Sequence, residues 1–130
     1  MADFRTALGR ARGAGSAKHG VGHFIGQRAS AAALIFLTLW GVWSVLCLGQ
    51  GGYDGARAWL GSPVNATLLI LLAVVGLYHA QLGMRTVIED YIQRPATRIA
   101  LLLFNAFVAA GGAVLTVVCI LKVALGGGGQ

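Results

Sequence analysis

Charged residues are scarce in this chain, and most of them carry one sign. Only 11% of the 130 residues are charged, with 4 acidic against 10 basic side chains, while 57% are hydrophobic and the mean hydropathy is +0.75. A water-soluble domain keeps about a quarter of its residues charged to cover its surface. The composition therefore excludes an ordinary soluble domain, and the length allows one domain at most.

Cysteine is scarce as well. The chain has two cysteines, Cys47 and Cys119, and it contains no Cys-x-x-Cys-His sequence. It therefore lacks the cysteines for an iron–sulfur cluster, and nothing signals covalent attachment of a c-type haem. Both cysteines lie near the ends of apolar segments, where we expect small buried thiols.

Three long apolar runs dominate the sequence instead. They cover residues 29–48, 64–84 and 99–121; the second contains His79 and Gln81, and the third contains Asn105. Each has about 20 residues, enough for a helix to cross a hydrocarbon core of about 30 Å. Because only a helix satisfies its own backbone within lipid, the runs predict an all-α integral membrane protein with three transmembrane helices.

The domain organisation follows from these runs. We expect a basic leader over residues 1–28, a three-helix transmembrane domain over 29–125 whose second helix continues to about residue 92, and a flexible glycine-rich tail over 126–130. Five of the ten Lys and Arg residues lie in the leader, three in the second connection and only Arg57 in the first. The positive-inside rule then places the N-terminus on the cytoplasmic side, or on the matrix side in an organelle.

The basic charge is interpreted as topology and contact with anionic lipid. Nucleic acid is not an expected partner, because the basic residues are not interleaved with exposed aromatic side chains.

His79 is the most costly residue of the chain to place in a membrane. Ionisable residues at membrane depth are rare and usually face a partner group or a cofactor. The alternative is a neutral histidine that only hydrogen-bonds a neighbouring helix. His79 shares one helical stripe with Gly83, Thr86 and Asp90. Gly83, one turn away, leaves room for a flat macrocycle or serves helix packing.

Haem suits this position, because a neutral imidazole in an apolar slot is a common axial ligand. A low-spin b-type haem in a membrane bundle usually takes two axial ligands, commonly both histidines. This chain offers one histidine at membrane depth, since His19 and His23 lie in the leader. We therefore expect another chain to supply the second ligand within a heteromeric helix bundle.

Asp90 and Tyr91 follow the cytoplasmic end of the second helix, and Arg28 precedes the first. Tyr91 can donate a hydrogen bond to a quinone carbonyl, and Asp90 can orient a donor or relay protons. Arg28 can pair with a haem propionate or polarise a quinone oxygen. The alternative for all three is simple anchoring at the membrane interface.

At these residues the sequence resembles the small hydrophobic membrane anchor of succinate dehydrogenase, respiratory complex II. The similarity rests on "GQRASA" at residues 26–31 and "YHAQLGMRTVIEDY" at residues 78–91. The pattern His-x-x-x-Gly-Met-x-x-Val-x-x-Asp-Tyr is its specific part. The leader "RTALGRARGAGSAKHG" is similar to alphaproteobacterial leaders, whereas the third helix matches only as a hydrophobic segment. Relatives often have tryptophans where this chain has Phe24 and Ile25 after His23.

The resemblance implies a role for each site residue. His79 corresponds to a haem b ligand, with the opposite ligand on a larger cytochrome b anchor subunit, and Gly83 to packing beside that haem. Tyr91 corresponds to the tyrosine that hydrogen-bonds ubiquinone, and Asp90 to the acidic residue beside it. Arg28 corresponds to an arginine near the haem propionates and the quinone.

The resemblance also implies partners and a location. An iron–sulfur subunit and a flavoprotein subunit with FAD would dock on the cytoplasmic face, and this chain would have no succinate active site of its own. The expected location is a bacterial inner membrane, or the mitochondrial inner membrane. Two alternatives stay open: a fumarate reductase anchor, and a structural or transport membrane subunit without haem, packed through the small residues 109–113.

Overall fold

The protein is helical along almost its whole described length. The structure, a computed structural model, describes residues 6–13, 20–48 and 51–126, and no strand occurs in these ranges. The helices in chain order are α1 (Ala7–Arg12), α2 (Gly20–Leu48), α3 (Gly52–Leu60), α4 (Pro63–Tyr91) and α5 (Pro95–Leu125). Helices α2, α4 and α5 are long and apolar enough to cross a membrane. The predicted all-α class with three membrane-spanning helices is confirmed.

The two prolines of the chain mark where α4 and α5 begin. Pro63 and Pro95 stand in the first turn of their helices, and each follows a residue with an extended backbone, Ser62 or Arg94. Proline suits this position because its ring fixes a helical φ and the missing N–H would have had no helical partner. Because only residues 92–94 connect α4 to α5, the two helices run antiparallel as neighbours.

Helix α2 begins at Gly20, before the apolar run that starts at residue 29. No proline interrupts residues 20–28, and Val21, Phe24 and Ile25 expose apolar side chains along this stretch. The last part of the expected leader is thus continuous with the first long helix. Outside the described residues lie 1–5, 14–19 with His19, and 127–130 of the expected tail.

A short helix, α3, lies at the end of the molecule where α2 and α5 finish. Trp59 on α3 stacks on Trp40 of α2, with ring centroids 5.6 Å apart and ring planes inclined by 25°. Arg57 Nη2 donates a hydrogen bond to the backbone carbonyl of Gly126, just after α5, at 3.1 Å. Helix α3 therefore ties the end of α2 to the end of α5.

The three long helices form an open layer with α4 in the middle. Helix α4 packs against α2 on one side and α5 on the other. Among the described residues only Ala66, Leu82, Ile88 and Ile120 are buried apolar side chains. Large apolar side chains stand exposed on both outer helices, such as Phe36 at 75% and Phe107 at 74%. Lipid or other protein chains must cover these faces, because exposing so much apolar surface to water is unfavourable.

The expectation of buried cysteines is wrong for this chain. Cys47 and Cys119 are both free and exposed. An open layer of helices has few enclosed positions, so a residue near a helix end keeps an exposed side chain unless another element covers it.

Candidate functional site

The contact between His79 and Ser30 is the centre of the candidate site. His79 lies on α4 and Ser30 on α2, and Ser30 Oγ is 2.9 Å from His79 Nδ1. Ser30 is only 6% exposed, whereas His79 is half-buried. Among the described residues this is the one hydrogen bond that His79 makes, so Nε2 has no protein partner there. The histidine is thus held by one ring nitrogen, with the other free to bind something else.

Ser30 makes a second hydrogen bond on its own helix. Its hydroxyl donates to the backbone carbonyl of Gln27, one turn earlier, at 3.1 Å. Serine and threonine commonly bond a carbonyl of the preceding turn when they lie within a helix. The hydroxyl therefore sits between Gln27 O and His79 Nδ1.

The side chains of His23 and Gln27 continue the same face of α2. His23 Nε2 and Gln27 Oε1 are buried and have no hydrogen-bond partner among the described residues. Gln27 Nε2 faces Gly83 on α4, where an added Cβ would lie 3.9 Å from it. His23, Gln27 and Ser30 are spaced by four and then three residues, so they form one stripe directed toward α4.

The packing of this chain does not require a glycine at position 83. A contact of 3.9 Å is an ordinary van der Waals distance, so an alanine would fit there without a clash. Gly26 differs, because its added Cβ would lie 2.8 Å from the hydroxyl of Tyr78. His79 and Gly83 both face α2, as the predicted stripe requires, whereas Thr86 bonds back to the carbonyl of Leu82 in its own helix.

Arg28 points in another direction from Ser30. Residues two positions apart on a helix differ by about 200° around its axis, so the side chain of Arg28 lies away from the α2–α4 contact that contains Ser30. Its guanidinium lies over the ring of Phe24, with Cζ 5.3 Å from the ring centroid, and the residue is exposed. The structure does not bring Arg28 and His79 into contact within this chain.

Tyr91 and Asp90 close α4 at the end that carries the second connection. Tyr91 is 79% exposed and Asp90 is exposed too. Tyr91 lines a cleft of about 440 Å³ between α4 and α5, whose other walls include Met84, Ile88 and Phe104. Tyr91 also borders a second recess, which is formed with Gln93, Arg94 and Thr97. The phenol thus stands where an apolar cleft meets a polar margin.

Glu89 lies in the same last turns of α4 and is paired. Arg85 Nε donates to Glu89 Oε1 at 2.8 Å, one turn apart on the helix. This pair leaves Asp90 as the carboxylate of the Glu-Asp sequence without a salt bridge among the described residues.

The described residues contain no cluster of three or more His, Cys, Asp or Glu side chains able to enclose a metal ion. A haem shared between two chains needs only one histidine nitrogen from each. The ring of His79, whose Nε2 has no partner among the described residues, fits that requirement. The residues present are therefore compatible with one half of a haem site.

The sequence singles out His79, Gly83, Asp90, Tyr91 and Arg28 as candidates, but it does not single out Ser30, the residue that bonds His79. A signal for Ser30 is nevertheless present: polar residues at 23, 27 and 30 repeat at helical spacing across the start of an apolar run. The sequence alone assigns no role to Asn105. In the structure its Nδ2 donates a hydrogen bond to the backbone carbonyl of Gln81 at 3.0 Å.

Known proteins resemble this chain over most of its length. The family described as the succinate dehydrogenase/fumarate reductase transmembrane subunit matches residues 2–124. The succinate dehydrogenase hydrophobic membrane anchor subunit of Rickettsia conorii is 37% identical over 91 residues, which cover 69% of this chain and 72% of that protein. Its counterpart in Rickettsia bellii is 38% identical over 90 residues, covering 69% and 72%. The subunit of Paracoccus denitrificans is 34% identical over 96 residues, covering 73% of each. No solved structure gives a significant match.

Proposed function

We propose, because this chain belongs to the succinate dehydrogenase/fumarate reductase transmembrane subunit family, that it anchors a succinate:ubiquinone oxidoreductase in the inner membrane and holds one side of a haem b. The observation that carries the haem assignment is the one hydrogen bond that His79 makes among the described residues, which restrains the ring through Nδ1 and leaves Nε2 available. The relatives named above are succinate dehydrogenase subunits, so succinate oxidation is the proposed direction.

The role of this chain toward the haem is binding and orientation. When bound, a b-type haem supplies one-electron redox chemistry. His79 would hold the haem iron through Nε2, and Gly83, one turn along α4, would place no side chain beside it. A histidine of a larger cytochrome b anchor subunit would provide the opposite ligand, since His79 is the one histidine of the described residues inside an apolar run.

The quinone contact is proposed at Tyr91. The cleft beside it is apolar and opens between two membrane-spanning helices, so a quinone can enter it from the bilayer. Its volume of about 440 Å³ lies in the range of small-molecule sites. Tyr91 would donate its phenolic hydrogen to a quinone carbonyl oxygen, and the exposed carboxylate of Asp90 would orient that donor or pass protons to water.

The remaining surfaces suit assembly. The exposed apolar faces of α2 and α5 fit lipid and the larger anchor subunit. The end of the layer that contains Tyr91 is basic. It carries Arg28 in the first part of α2, Arg94 in the α4–α5 connection and Arg98 in the first turn of α5. This basic end would face the cytoplasm and contact the iron–sulfur and flavoprotein subunits, which carry the iron–sulfur clusters and FAD.

A visible spectrum of the purified complex tests the haem assignment. We expect a reduced b-type α-band in the wild type and its loss in His79→Ala, because the iron loses an axial ligand. Leu71→Ala is the control, since it truncates a side chain that is 44% exposed on the same helix and should leave the band intact. A wild-type complex without haem, or a band that survives in His79→Ala with unchanged intensity, would refute the assignment.

A further inference from the structure

The serine hydroxyl beside His79 has one hydrogen and two possible acceptors. The carbonyl of Gln27 lies 3.1 Å from Ser30 Oγ, and His79 Nδ1 lies 2.9 Å from it. A hydroxyl donates one hydrogen bond and accepts others with its lone pairs. Both contacts are therefore satisfied together only if Ser30 donates to the carbonyl and accepts from an N–H of the imidazole.

This arrangement decides which tautomer His79 adopts. A neutral imidazole carries its hydrogen on one nitrogen and a lone pair on the other. If Nδ1 donates its hydrogen to Ser30, the lone pair is on Nε2, the nitrogen without a protein partner among the described residues. The opposite arrangement, with Ser30 donating to Nδ1, would leave the Gln27 carbonyl without that bond and place a hydrogen on Nε2, where it blocks metal binding.

We propose that Ser30 is the positioning residue of His79, which fixes the ring in the Nδ1–H tautomer and directs the Nε2 lone pair to the haem iron. The proposal rests on the haem-anchoring function proposed above and adds a residue to it. An N–H donated to an acceptor also makes a ligating imidazole more basic, so Ser30 would strengthen the iron bond and favour the oxidised iron. Loss of such an outer partner typically lowers metal affinity about 10- to 100-fold.

The position of Ser30 favours this role over simple packing. It is only 6% exposed, at the contact of two membrane-spanning helices, and its hydroxyl lies within hydrogen-bond distance of the ring on the facing helix. Ser44 lies on the same helix with the same 6% exposure, about four turns further along α2, and the described residues show no hydrogen bond between it and His79. The chain thus contains its own matched control for a buried serine.

The test compares Ser30→Ala, Ser30→Thr and Ser44→Ala in the complete purified complex. Haem content per flavin and the midpoint potential of the haem are measured for each. In Ser30→Ala we expect lower haem content and a higher midpoint potential, because the imidazole loses its acceptor. Ser30→Thr keeps the hydroxyl and should restore wild-type values, and Ser44→Ala should match the wild type in both.

The outcomes separate this inference from the function on which it rests. If the wild-type haem depends on His79 but Ser30→Ala equals Ser44→Ala in both measurements, Ser30 has no positioning role and the haem assignment stands. If the wild type holds no haem, both fail. If Ser30→Ala does not assemble, Ser30→Cys keeps the volume with a much weaker acceptor, and an unchanged potential in that variant overturns the inference.

Discussion

The side chain of Asn105 on α5 donates a hydrogen bond to the backbone carbonyl of Gln81 on α4, at 3.0 Å. Gln81 follows His79 by two residues, so the part of α4 that carries the histidine is bonded to α5 as well as to Ser30 on α2. Hydrogen bonds between membrane helices contribute about 0.6 kcal/mol on average, and up to about 2 kcal/mol. Both bonds lie at the same level of the layer and restrain α4 from its two sides.

Gly83→Ala should lower haem content without harming the fold of this chain. The added methyl group would lie 3.9 Å from Gln27 Nε2, and alanine favours a helix over glycine by about 1 kcal/mol. A loss larger than that of the control variant would then indicate a group outside the chain beside His79. Haem content per flavin of the purified complex measures the effect.

Gly76→Ala is the control for that substitution. Gly76 lies on the same helix, and its added Cβ would lie 3.9 Å from a methyl group of Leu34 on α2. Equal haem content in the two variants would show that Gly83 has no special place beside the haem.

Tyr91→Phe should slow ubiquinone reduction and spare succinate oxidation with an artificial acceptor at the soluble subunits. The substitution removes one hydrogen-bond donor and keeps the ring in the cleft. One neutral hydrogen bond contributes about 0.5–1.5 kcal/mol, so quinone-dependent turnover should fall about 2- to 12-fold. Steady-state assays of both reactions on the same preparation make the comparison.

Tyr53→Phe removes the same hydroxyl at the opposite end of the molecule, where Tyr53 is 76% exposed on α3. It should leave both activities unchanged. Parallel loss of the two activities in Tyr91→Phe would instead assign Tyr91 to assembly.

Arg28→Gln should lower the midpoint potential of the haem. A nearby positive charge stabilises the reduced iron relative to the oxidised iron. A hydrogen bond between the guanidinium and a charged haem propionate contributes about 1.5–3 kcal/mol. Arg28→Lys keeps the charge and should change the potential less. A redox titration of the α-band measures each variant, with Arg57→Gln, at the far end of the layer, as the control.

An unchanged potential in Arg28→Gln would leave Arg28 with the contact that the structure describes. Its guanidinium would then only stack on Phe24 and hold the start of α2 among lipid headgroups.

Hydropathy was sufficient to predict the three long helices, because each apolar run exceeds the length of a membrane crossing. It did not predict α3, whose sequence GYDGARAWL contains two glycines that weaken a helical pattern. It also misplaced the cysteines, because burial depends on how the helices assemble. An open layer leaves positions exposed that a closed bundle would enclose.

The candidate site was only partly predictable, because residue type can be read from the sequence but contacts between helices cannot. His79 was identifiable by itself, since an ionisable residue in an apolar run is conspicuous. The contact of His79 with Ser30 was not, because the two residues are 49 positions apart in the sequence and only the packing of α2 against α4 brings them together. Helical geometry alone would have shown that Arg28 and Ser30, two positions apart, point in different directions.

The open layer of α2, α4 and α5 has a consequence for the life of the protein in a cell. A newly made copy inserts with unshielded apolar surface on two sides. In the absence of the proposed larger anchor subunit, that surface is available to other chains and to proteases of membrane quality control. We expect an orphan copy to be degraded quickly. Its abundance should therefore follow the supply of the proposed larger anchor subunit more closely than its own rate of translation.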